Sequence, residues 1–77
     1  MALLATFKGH VQGVGFRFQA HRIARAYRIS GWVRNAADGS VQLLLQGAAE
    51  EIQSVLDEVR ERMSYHIRSE ESTEVED

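Results

Sequence analysis

Three glycines within seven residues, Gly9, Gly13 and Gly15, separate a short apolar run from a stretch in which apolar residues recur at helical spacing. Glycines this dense suit neither a strand nor a helix interior, because each loses more conformational freedom on folding than any other residue. The chain must therefore change element between residues 9 and 15. On the near side, Leu3 to Lys8 reads as a strand. On the far side Phe16, Ala20, Ile23, Ala24 and Tyr27 fall on one face of an amphipathic helix. No glycine stops it at once. The chain passes through Arg28 and Ile29 before Ser30-Gly31, which places the helix end only to within about two residues.

Ile29 to Asn35, containing Trp32 and Val33, reads as a second strand. Ser40 to Gln46 reads as a third, with Val41, Leu43 and Leu45 on one face, and Ala36-Ala37-Asp38-Gly39 between them is a hairpin turn signal. Ile52, Val55, Leu56, Val59 and Met63 then repeat the helical period, with Glu50 and Glu51 in the first turn and Arg60 and Arg62 in the last, as the helix dipole favours. Tyr65 and Ile67 alternate like a weak fourth strand. From Ser69 onward the chain is polar, and residues 70–77 are expected as a frayed acidic tail. This order predicts a single domain over residues 1–77, an α+β, ferredoxin-like sandwich (βαββαβ) with both helices on one face of an antiparallel sheet. In that topology the first two strands run parallel with the third between them. The loop over residues 9–16 and Asn35 then arrive at the same edge of the sheet.

A chain of 77 residues without cysteine has neither disulfides nor thiolate metal sites to staple it, so apolar packing must hold a fold of its size together. Met1 to Phe7 is too short for a membrane span and carries no basic leader, so the expected protein is soluble and cytoplasmic, with no membrane partner. Net charge is −2 but unevenly placed. Residues 1–40 carry six basic groups against Asp38 alone, a net of +5, and the rest carry three basic and ten acidic groups, a net of −7. A basic half beside a glycine loop suits an anionic ligand, although Arg22, Arg25 and Arg28 taken alone read rather as a solvated helix face. His10, His21 and His66 lack ligand spacing and read as structural or solvent-facing.

The chemistry concentrates in Gly9-His10-Val11-Gln12-Gly13-Val14-Gly15-Phe16-Arg17. Glycines that reach positive φ let successive N–H groups converge on one anion, and a helix N-terminus behind them adds free donors and partial positive charge. Arg17 brings a planar fork able to grip two phosphoryl oxygens. Taken alone, a glycine turn before a helix is more often an ordinary tight turn. Arg17 is less easily dismissed, since a cation in the first helical turn opposes the dipole unless an anion lies between. Asn35, just ahead of a turn, also reads as a turn former bonding its own backbone. The Gln12 side chain either orients the loop or faces solvent.

The stretch from Gly9 to Arg17 resembles the acylphosphatase signature, and Gly31-Trp32-Val33-Arg34-Asn35 with Asp38-Gly39-Ser40-Val41 resembles that family's second signature. The resemblance covers residues 3 to 62. It implies hydrolysis of the carboxyl-phosphate anhydride of acyl phosphates to carboxylate and inorganic phosphate, with neither metal nor organic cofactor. It also implies that Arg17 binds phosphate, that Asn35 positions the attacking water, and that the backbone amides of Gln12, Gly13, Val14, Gly15, Phe16 and Arg17 form the cradle. Three departures stand out. Arg28 occupies the region where the family has a glycine after the first helix; a non-glycine residue can take the left-handed conformation there at about 1 kcal/mol. The family's Gly-Pro turn is replaced by Met63-Ser64-Tyr65-His66, and no closing strand follows Val75. The expected sheet keeps an open edge, on a monomer that could self-associate there. The shortened end motivates an alternative, a non-catalytic acylphosphatase-like module for phosphate binding or assembly. A third reading, nucleic-acid binding on the sheet, lacks aromatic residues on the third strand for base stacking.

Overall fold

The computed structural model describes residues 1–76. Its elements are β1 (Ala2–Gly9), α1 (Phe16–Ala24), β2 (Ser30–Asn35), β3 (Val41–Gln46), α2 (Ala49–Arg62) and β4 (Ile67–Val75). The strands lie in the order β2-β3-β1-β4, and every neighbouring pair is antiparallel, so β1 and β2 run the same way on either side of β3. This is the ferredoxin-like α+β architecture that the element order predicts. No helix among the described residues is long and apolar enough to cross a membrane.

Alternation along β1 and β3 turns Ala5, Phe7, Val41, Leu43 and Leu45 toward the helices. Onto them pack Phe16, Ala20 and Ile23 of α1 and Ile52, Val55, Leu56 and Val59 of α2, all buried. The rings of Phe7 and Phe16 meet at 5.3 Å, which fixes the start of α1 over the end of β1. The opposite face of the sheet is open to solvent. There Trp32 remains 41% exposed, with the Arg34 guanidinium 4.6 Å from its ring centre.

The end of α1 differs from the expectation. The α-helix stops at Ala24 and the chain tightens through bonds from Ala26 N–H to Ile23 O and from Tyr27 N–H to Ala24 O, both 3.1 Å. Arg28 is not left-handed, because no described residue other than glycine has positive φ. Its N–H instead donates to Glu51 Oε1 of α2 at 3.0 Å, so a side chain from the other helix takes over the role of a terminal glycine.

The acidic tail also has to be corrected. Residues 70–75 are not frayed; they belong to β4, which pairs with β1 from Val75 opposite Ala2 to Ile67 opposite Gly9. Asp77 lies outside the described residues. The pairing uses the hydrogen-bonding edge of β1 left free by β3, which polar residues satisfy as well as apolar ones. Arg60 then clamps β4 to α2, donating through Nε to Glu70 Oε1 at 2.6 Å and through Nη2 to Glu70 Oε2 at 3.0 Å. The charges on β4 also suit a strand at a sheet margin. Glu70→Ala is expected to cost about 1 kcal/mol, a value held down by the partial exposure of the pair. A thermal melt reads this as a midpoint lowered by about 4–8 °C.

Candidate active site

The loop between β1 and α1 is shaped by its glycines. Gly13 and Gly15 adopt φ of 78° and 80°, a left-handed conformation, and a side chain added at either would meet only open space. Conformation, not crowding, is thus the reason for glycine at both positions. Gly15 is the N-cap of α1 and supplies no side-chain acceptor. The first intrahelical bond runs from Gln19 N–H to Gly15 O at 3.0 Å, which leaves the N–H groups of Phe16, Arg17 and Phe18 without an intrahelical acceptor. Among the described residues, the N–H groups of residues 12–15, in the turns that lead into α1, make no well-formed hydrogen bond to a protein acceptor. The first turn of α1 holds no acidic residue. This is a concentration of unmatched donors at the positive end of a helix.

Arg17 is exposed in that first turn and, among the described residues, forms no ion pair or hydrogen bond. Nothing shown among the described residues offsets its repulsion from the helix terminus. Asn35 closes β2 opposite Val41, which in turn faces Phe7 of β1. Residues opposite one another share a face, so Asn35 lies on the helix-covered side of the sheet, two strand spacings or about 9.5 Å from the end of β1. Its side chain is exposed and makes no hydrogen bond among the described residues, so it is not a turn former.

The turn is built by Asp38 instead. Its Oδ1 accepts from the Ser40 hydroxyl at 2.6 Å and from the Ser40 N–H at 3.0 Å, and those bonds, the hydroxyl first, hold the Asp38 carboxyl below the usual carboxylate range. Their contribution is therefore present at neutral pH and lost in acid, as the pH falls through the lowered value.

One connection was left open by the sequence. The Gln12 side chain does not face solvent: its Nε2 donates to Ala36 O at 2.8 Å and to Ser40 O at 3.0 Å. A single amide thus straps the glycine loop to both ends of the hairpin turn beside Asn35. Loop amides, Arg17 and Asn35 are thereby gathered at one end of the molecule. The acceptors of Gln12 are main-chain carbonyls, which leave no mark in a sequence; the available signal was a long polar side chain between Val11 and the glycines.

Against known proteins, the acylphosphatase family model matches residues 4–77 of this chain. The chain belongs to the acylphosphatase family. It is 59% identical over 44 residues to an acylphosphatase of Polaromonas naphthalenivorans, which covers 57% of this chain and 44% of that protein. It is 46% identical over 57 residues to an acylphosphatase of Salinibacter ruber, covering 74% and 60% respectively. The chain thus spans about half the length of these curated relatives. Among solved structures, acylphosphatase from Bacillus subtilis superposes with a TM-score of 0.89 at 30% identity, over 99% of this chain and 86% of that one. An acylphosphatase from Coxiella burnetii gives a TM-score of 0.74 at 28% identity, over 99% and 83%.

Proposed function

We propose that the chain hydrolyses acyl phosphates to a carboxylate and inorganic phosphate, using Arg17 and the amides of residues 12–17 to hold the phosphoryl group and Asn35 to hold the water. The observation that carries this reading is the uncapped start of α1. Two left-handed glycines lead into a helix start that has no side-chain cap, Arg17 in its first turn has no partner among the described residues, and Gln12 fastens the loop beside Asn35. Membership of the acylphosphatase family supports it.

The chemistry asks little more of the protein. An acyl phosphate carries a good leaving group, so catalysis is chiefly charge stabilisation and alignment. The loop amides and the Arg17 fork bind the phosphoryl oxygens and offset the charge that gathers on them in the transition state. The carbonyl of the Asn35 side chain accepts a hydrogen bond from water and aims its oxygen at phosphorus, but an amide does not take up the proton. A phosphoryl oxygen of the substrate receives it. As the new P–O bond forms, the bond from phosphorus to the carboxyl oxygen breaks, and its electron pair leaves with the carboxylate.

The reading calls for a monomer acting on a small-molecule acyl phosphate in the cytoplasm, with neither nucleic acid nor a membrane. The open faces of the two central strands carry Leu4, Thr6, Gln42 and Leu44 and no ring for base stacking, in keeping with that. The purified chain, with a chelator present, is expected to release one phosphate per benzoate from benzoyl phosphate, with inorganic phosphate as a competitive inhibitor. Phosphate binding without any turnover would instead identify a non-catalytic module.

A further inference from the structure

The face of the sheet that no helix covers carries a charge pattern laid out by strand register. Pairing places Arg34, Gln42, Thr6 and Glu71 in one row across β2, β3, β1 and β4, and Trp32, Leu44, Leu4 and Thr73 in the next. The first row thus runs from a cation at one margin to an anion at the other, beside a row whose middle is apolar. Arg34 lies over the Trp32 ring and donates to Gln42 Oε1 at 3.0 Å, and among the described residues it meets no carboxylate. The Glu71 side chain is 72% exposed and pairs loosely with Lys8 Nζ at 3.6 Å. We propose that this face binds a second copy of the chain, sheet against sheet, about a two-fold axis parallel to the strands.

The pattern selects that axis. An isologous contact sets one patch against itself, so each group must meet its complement after the rotation. An axis along the strands, midway between β3 and β1, keeps every row at its height and lays β2 over β4 and β3 over β1. Arg34 of each copy then faces Glu71 of the other, and Leu4 faces Leu44, on both sides of the axis. Stacked sheets cross at about 30°, which displaces the outer strands by a few ångström, within the reach of an arginine. An axis across the strands would instead lay β2 on β2 and β4 on β4, so that like margins meet and neither charge finds its opposite.

Area sets the strength of the pair. Four strands about 4.8 Å apart and about six residues long give a face of roughly 400 Å² per copy. That is half of the ~800 Å² per partner found in stable complexes, so the dimer is transient and the dilute chain is a monomer. Covering Trp32, Leu4 and Leu44 supplies the apolar gain, and the two Arg34–Glu71 contacts fix the register. Arg17 stands on α1 and Asn35 on the helix-covered side, so each copy keeps a complete and open site.

Sedimentation of the wild-type chain between about 10 µM and 1 mM, the range suited to so small an interface, is expected to pass from the 8.7 kDa monomer to a dimer and stop there. Emission from Trp32, the only tryptophan, should move to shorter wavelength over the same range as its ring is covered. Arg34→Glu and Glu71→Arg should each weaken association at least ~10-fold, since like charges then meet twice. Combining the two exchanges the margins and should restore the wild-type dimer. A wild-type chain that stays monomeric throughout, or a dimer untouched by either charge reversal, overturns the proposal. So does a folded double variant that fails to recover, and so does growth beyond the dimer, which marks pairing between open strand edges.

Discussion

Arg17→Ala is expected to lower kcat/KM for benzoyl phosphate by about 10³-fold, the scale of removing a principal charge-stabilising group from a phosphoryl-transfer site. The guanidinium is exposed and, among the described residues, has no partner to lose, so the melting temperature should stay near that of the wild type. Competitive inhibition by inorganic phosphate should weaken in parallel, because the same fork holds substrate and product. Arg17→Lys keeps the charge and forfeits the two-pronged geometry, and should recover only part of the loss. Full activity in Arg17→Ala would remove the guanidinium from the mechanism.

Asn35→Ala should divide the kinetic constants differently. If this side chain aligns water and does not hold phosphate, kcat falls by about 10²- to 10³-fold while KM and phosphate inhibition barely move. Asn35→Asp places a negative charge near a bound dianion and should impair binding as well, so KM rises together with the loss in kcat. A variant at Asn35 that raised KM and left kcat intact would make it a substrate clamp instead. Neither substitution should disturb the hairpin, whose turn is held by Asp38 and Ser40 without help from the Asn35 side chain.

The parts of the fold legible from the sequence were those that repeat. α2 and its C-cap show five apolar residues at helical spacing, Ile52 to Met63, and all are buried. β3 shows Val41, Leu43 and Leu45 alternating, and each faces the helices. β4 has no such signature. Its place depends on the vacant edge of β1 and on Arg60 reaching Glu70 from α2, both contacts between elements remote in the chain. The close of α1 was obscured for a related reason, since the acceptor for Arg28 N–H comes from Glu51. In the candidate site, glycine spacing and the positions of Arg17 and Asn35 could be read because conformation and topology determine them. The strap through Gln12 could not, because any carbonyl oxygen looks like any other until the backbone is folded.

The placement of the two halves of the site within the sheet also governs how they move. The glycine loop hangs from β1, which is bonded on both sides, by β3 and β4, whereas Asn35 ends β2, which is bonded by β3 alone. Brief local opening therefore falls on the Asn35 side, and amide protons of β2 should exchange with solvent deuterium sooner than those of β1. A rigid anchor thus faces a looser arm across a gap that the Gln12 amide spans.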